Sequence, residues 1–163
     1  MNALQVLRFG AATLALAGLA SLALAANPVP RFDNFPAADW HGTIAATAIR
    51  STQDRRFASR LRELSGKAPN FAGHYALSTW GCGASCVMAV AVDANTGATV
   101  WLPFTVCCWN PDVEEPVGFR RDSKLVIVRG NRDETGNGTY YYLFDQNRFT
   151  LLRGDAEPGK PGS

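Results

Sequence analysis

The sequence predicts a mainly β fold, a single-domain antiparallel meander of about six strands with one short α-helix, stabilised by disulfides. Three observations carry this expectation. Short runs rich in Val, Ile, Tyr, Phe and Trp recur from residue 72 onward and are separated by turn-forming residues. One segment alone has a helical repeat of apolar residues. Four cysteines in two close pairs, Cys82 with Cys86 and Cys107 with Cys108, offer cross-links to a chain of one-domain size.

The first 25 residues read as a signal peptide. Met1 to Ala25 carries a single charge, Arg8, followed by an apolar run from Ala11 to Leu22 and the small-x-small pattern Ala23-Leu24-Ala25. A membrane anchor would need about 20 predominantly apolar residues, and the cleavage pattern sits where that span would have to continue. The expected location is therefore periplasmic or secreted, with no membrane span after cleavage. Removing 25 of the 163 residues leaves 138, with 15 Lys plus Arg against 14 Asp plus Glu. That balance excludes nucleic-acid binding by bulk charge, and a hydrophobic content of 47% excludes a disordered chain. A second domain has no room.

Residues 26–50 are expected to form an extended arm, because Pro28, Pro30 and Pro36 disfavour helix while Phe32, Phe35 and Trp40 can pin the segment to the domain. The single β-rich domain then spans 51–155. Its helix is predicted near 52–65, where Phe57, Leu61 and Leu64 recur at i, i+4 and i+7. Ser51 or Thr52 can cap it, Asp54 suits its N-terminal dipole and Gly66 is placed to end it. Arg50, Arg55, Arg56, Arg60, Arg62 and Lys67 make this the most basic segment, read as a solvated outer face in preference to an anion site.

Strands are predicted at 72–80, 86–93, 99–102, 124–129, 139–145 and 149–153. Asp93 to Gly97, Asn131 to Gly138 and Gln146-Asn147 supply turns between them. Tight turns force antiparallel pairing, since a parallel crossover needs a dozen or more residues. In Tyr140-Tyr141-Tyr142 the outer two rings share one sheet face and the middle ring takes the other, which suits one core face and one partly covered face. Residues 156–163 are expected to be a flexible tail.

An even number of cysteines in an exported chain implies two disulfides. Bridges between the two Cys loops are the first expectation. Local pairing of Cys82 with Cys86 and of Cys107 with Cys108 is the alternative, and it requires Gly81-Cys82-Gly83 to turn, because four extended residues span about 13 Å. A bond between adjacent cysteines would be strained, and strained disulfides are the labile ones. No zinc site is predicted, because a C-x3-C pair opposite adjacent cysteines lacks the usual knuckle spacing. No cofactor is predicted either.

The segment Pro69-Asn70-Phe71-Ala72-Gly73-His74-Tyr75, with Trp80-Gly81-Cys82-Gly83, Cys86, Val92-Asp93 and Thr96-Gly97, resembles an uncharacterised group of small exported bacterial proteins. The resemblance extends through Cys107-Cys108-Trp109 to the closing strands. It implies membership and export, and brings no activity or catalytic residue with it.

Candidate functional residues are His74, Tyr75, Trp80 and Trp109. His74 can act as a base or activate a thiol, although a half-buried, hydrogen-bonded His is the plainer reading. Ser85 lacks the context of a nucleophile elbow and reads as a turn residue. Asn131 to Gly136 copies only the first half of a calcium loop, since Tyr142 stands where the final Glu is needed. Asp112, Glu114 and Glu115 read as loop charge. No complete catalytic constellation emerges. The functional expectation is a binding or interaction module of the bacterial envelope, with a cell-wall glycan or another envelope protein as partner. The alternative is an envelope enzyme or thiol-redox protein using His74 with Cys82 and Cys86.

Overall fold

The computed structural model describes residues 28–156, so the predicted signal peptide and the final residues of the tail lie outside the described part. After a single 3-10 turn at Phe32–Asn34, the elements in chain order are α1 (Thr52–Arg56), α2 (Ala58–Leu64), β1 (Tyr75–Gly83), β2 (Cys86–Asp93), β3 (Thr99–Trp101), β4 (Val106–Cys107), β5 (Val117–Phe119), β6 (Leu125–Arg129), β7 (Asn131–Arg132), β8 (Gly138–Asp145) and β9 (Arg148–Ala156). The fold is mainly β and every strand pair is antiparallel. It departs from the expected meander in one respect: the strands divide between two sheets. The three strands that sequence periodicity does not reveal, β4, β5 and β7, are only two or three residues long.

In the first sheet β2 is central. β1 runs along one edge, from Tyr75 opposite Asp93 to Trp80 opposite Met88. The other edge is shared: β3 pairs with Val90 to Val92, β4 pairs with Cys86 and Val87, and β7 adds to β4. The second sheet has the order β5-β6-β8-β9.

Alternation along the strands decides how these sheets are layered. Leu77, Ala89, Ala91 and Val106 of the first sheet meet Val126, Val128, Tyr140, Tyr142 and Phe144 of the second in the main core. Residues of opposite parity face outward and need other cover. On the first sheet, Val90 and Val92 receive Leu61 and Leu64 from α2, flanked by Ile49, Trp80 and Trp101. On the second, Leu125, Ile127 and Tyr141 receive Phe32 and Phe35 from the N-terminal arm. The molecule is thus four layers deep: helices, sheet, sheet, arm.

The expected single helix is two, broken at Phe57 (φ −112°, ψ 24°). The break lets two short helical faces do different things. α1 is held by a buried carboxylate, α2 by Leu61 and Leu64. Phe57 itself turns onto Trp80 and Trp101, with ring centroids 5.8 and 5.4 Å away.

The arm from Pro28 to Ala48 is extended apart from its one turn, and two glycines let it approach. Gly73 (φ 80°) and Gly97 (φ 72°) lie directly against the carbonyls of Ala38 and Ala46, where a Cβ would collide. Both also need the left-handed backbone that glycine adopts without strain.

Candidate functional site

The far end of the β1–β2 hairpin gathers the sulfur chemistry of the molecule. Gly81 pairs with Val87 and Gly83 with Cys86, so Cys82 is squeezed out of register beside Cys86. The turn brings the two Cα atoms to 5.2 Å and the disulfide Cys82–Cys86 closes there. This corrects the first expectation of bridges between the two loops: the local turn satisfies Cys86 before Cys107 or Cys108 can. Cys107 and Cys108 are free thiols, Cys107 buried and Cys108 exposed, with their Sγ atoms 2.7 Å apart. Burial, and then the hydrogen bond shared with Cys108, holds the Cys107 thiol pKa above its ordinary range.

On the helix side of this hairpin a groove of about 510 Å3 opens between α1 and the sheet, lined by Thr52, Gln53, Arg56, Phe57, Gly81, Cys82 and Met88. A second concavity of about 270 Å3 shares Gln53 and Met88 with it and runs on past Trp101 and Phe104 to Thr105 and Asp133. Met88 lies on this side because it faces Trp80 across the β1–β2 ladder. The groove wall is rigid because α1 is fixed from beneath. Asp54, only 1% exposed, accepts from the N–H groups of Arg50 and Ser51 at the helix start, and from Thr99 Oγ1 and Trp101 Nε1 on β3. Ser51 in return accepts from the Asp54 N–H, completing a capping box. Burial alone would raise the Asp54 pKa. The hydrogen bonds from Ser51, Trp101, Thr99 and Arg50 outweigh it and hold the carboxyl well below the usual range.

His74 and Tyr75 sit at the opposite end of β1. Eight residues of strand separate His74 from Cys82, about 26 Å at 3.3 Å per residue. The constellation of His74 with Cys82 and Cys86 is therefore not assembled. His74 is half-buried, its Nε2 3.7 Å from Asp93 Oδ1 and its ring beside Tyr75 and Trp40. Asp93 is already occupied by the Asn95 N–H and the Thr96 hydroxyl, which close the β2–β3 turn. Tyr75 donates to Asn147 Oδ1 at 2.7 Å and ties β1 to the β8–β9 turn. Its pKa is pushed up to about 12 by burial, then by Asp93 and Asp145, so it stays a neutral donor. Trp80 stands edge-on to Trp101 behind the groove. Trp109 packs against the main core.

Comparison with protein family models, with curated proteins and with solved structures gives no match. The motif residues must then be read from their contacts. Asn70 accepts from the Leu77 N–H and donates to the Leu77 carbonyl, Phe71 is fully buried against Phe119 and Phe144, and Gly73 admits the arm. That half of the motif builds a corner. The Trp80 to Cys86 half builds the groove floor.

Two residues of consequence escaped sequence reasoning. Met88 looked like any apolar strand residue, and only its parity with Cys86 signals that it faces the helices. Arg132, on a two-residue strand, lays its guanidinium 3.8 Å from the Tyr140 ring centroid and donates to Tyr142 Oη at 2.8 Å. Burial works against the Arg132 charge, but the Tyr142 bond prevails and raises its pKa. Asp133, in the half-match to a calcium loop, accepts from Thr105 N–H and Oγ1. Among the described residues no group of three or more His, Cys, Asp or Glu converges to hold a metal.

Proposed function

We propose that the protein is an exported binding module of the bacterial envelope, working in the periplasm or outside the cell, and that the groove beside α1 recognises an extended peptide segment of another envelope protein. The observation that carries this reading is the pair of adjoining concavities, joined at Gln53 and Met88. Two concavities that adjoin suit a ligand long enough to occupy both. Arg56 is exposed at the groove rim with its guanidinium over Phe57, offering charge-assisted bonds to backbone or side-chain oxygens. Met88 supplies an adaptable apolar contact, and Gln53 supplies an amide. The disulfide beneath and the buried carboxylate behind keep both walls in place before the ligand arrives, which lowers the entropic cost of binding. The disulfide is also compatible with the oxidising compartment to which the leader would send the chain.

Selection of a phage-displayed random peptide library on the immobilised protein, followed by calorimetry, tests the reading. Selected peptides should bind the wild type and lose at least about tenfold, 1.4 kcal/mol, in Met88→Asp and in Arg56→Glu. Peptides that bind all three proteins equally would remove the groove from consideration. Soluble muropeptides titrated in parallel should leave the groove amides unshifted; shifts confined to the groove would replace the peptide with a cell-wall glycan.

A further inference from the structure

Four sulfurs converge on the same face of the first sheet. Cys86 and Cys107 are directly opposite one another across the β2–β4 ladder. The Cys108 N–H donates to the Ser85 carbonyl at 3.2 Å, one step outside that pair. This places Cys86 and Cys107 at a non-hydrogen-bonded position of the antiparallel ladder, where Cα atoms approach to about 4.5 Å and side chains are closest. Such a separation lies within the range a disulfide spans without moving the backbone. Cys86 therefore has two sulfur neighbours within bonding reach of its own position: Cys82, to which it is bonded, and Cys107. Cys107 also has two: Cys86 and Cys108.

We propose that the four cysteines form one thiol–disulfide relay, running from the exposed Cys108 through Cys107 and Cys86 to the exposed Cys82. In the first step the exposed Cys108 gives its proton to solvent and takes up that of the buried Cys107, 2.7 Å away, and the Cys107 sulfur attacks Cys86 Sγ. The Cys86–Cys107 bond forms, the Cys82–Cys86 bond breaks, and Cys82 leaves as a thiolate that takes up a proton. In the second step Cys108, deprotonated, attacks Cys107 Sγ. The Cys107–Cys108 bond forms and Cys86 leaves as a thiolate and is protonated in turn. One disulfide is consumed and one is made, two protons pass to solvent and two return, and no outside oxidant is required. The substrates of such a relay are the dithiols and disulfides of other exported proteins. A protein dithiol reduces Cys107–Cys108 by exchange at the exposed Cys108, itself becoming a disulfide. The Cys82–Cys86 dithiol produced by the relay is reoxidised by a second protein's disulfide at the exposed Cys82. Burial of Cys107 fits its position as an internal carrier, since external thiols meet Cys108 first. The relay goes beyond the groove reading and does not depend on it.

The decisive measurement uses the wild-type protein, equilibrated in a series of reduced and oxidised glutathione mixtures, quenched with an alkylating reagent and mapped by mass spectrometry without reduction. Two singly oxidised populations are expected: one with Cys82–Cys86 bonded and Cys107 and Cys108 alkylated, the other with Cys107–Cys108 bonded and Cys82 and Cys86 alkylated. A single population, always bonded at Cys82–Cys86 until full reduction, overturns the relay. The double variant Cys82→Ser/Cys108→Ser then traps the middle step. Oxidised with glutathione disulfide, it should give a monomer with an internal Cys86–Cys107 bond. Two persistent free thiols, or stable glutathione adducts on both, would rule that step out.

Discussion

Both sheets bury one face in the common core and cover the other with a segment that is not β, yet the two covers are fastened differently. The helices on the first sheet are fastened through an ion. Asp54 sits at the base of α1 and reaches forward to Thr99 and Trp101. The arm on the second sheet is fastened by neutral groups where it is buried, and its charged contact, Arg120 with Asp33 and over the Phe32 ring, lies at the surface. Ser123, as buried as Asp54, shares its hydroxyl between the Phe32 and Phe35 carbonyls and accepts from the Leu125 N–H, while Ala37 and Lys124 add backbone bonds at the Pro36–Ser123 bridge. The contrast teaches that a charge is useful where several donors converge: one carboxylate satisfies two backbone and two side-chain donors that no single hydroxyl could serve. The same choice makes the buried fastening on the groove side sensitive to acid, whereas the Ser123 fastening of the arm has no charge to lose.

The largest loss is expected from Asp54→Ala. It removes the cap and strands the Thr99 and Trp101 donors, so a loss of about 3 kcal/mol or more is expected in denaturant unfolding. The pH dependence has a definite sign. The folded pKa of Asp54 lies below its ordinary value near 3.9, so its contribution is complete above about pH 4 and is lost as the pH falls through the folded value. Acid titration of Asp54→Asn should show a flatter decline below pH 4 than the wild type; parallel curves would mean the carboxylate is not the acid-sensitive fastening.

Gly97→Ala should come next, at about 1 to 3 kcal/mol, because it forces a side chain into a left-handed position against the Ala46 carbonyl. Hydrogen exchange should rise at Ala45 and Ala48, whose N–H groups bond to Ala94 and Gly97. Ser123→Ala should cost about 1 kcal/mol and show no change in its pH profile between 3 and 7. The smallest effect is expected from Arg60→Ala, which opens the exposed i, i+3 ion pair with Glu63. A change below about 0.5 kcal/mol in thermal unfolding would confirm that exposed charge, unlike the buried charge of Asp54, does little here.

Much of this architecture was legible where the signal is local. The alternation of Tyr140 to Tyr142 gave the correct split between the main core and the arm-covered face. Ser51 and Asp54 were legible as helix-start residues, because a capping box spans only three positions. The partners of Asp54 at Thr99 and Trp101 were not legible: they are 45 and 47 residues away and have no pattern of their own. β4 and β7 escaped for a related reason. Two-residue strands carry no period, and their pairing is set by β2 and by the packing of Val106. The disulfide was misjudged because the cross-loop distances depend on β4, whereas the hairpin turn that joins Cys82 to Cys86 depends only on residues 81–86. His74 stands out for its chemistry, but it lies in the turn just before β1, a strand's length from the sulfurs.

The arm has a consequence for the order of events during folding. Its docking residue Phe32 meets Ser123 across 91 positions of chain, whereas the β1–β2 and β8–β9 hairpins close within a few residues. Loop closure over such a span is entropically costly and slow, and it can begin only after β6 exists. The segment nearest the N-terminus among the described residues would thus be the last to find its place, and substitutions in the arm should accelerate unfolding while leaving the refolding rate nearly unchanged.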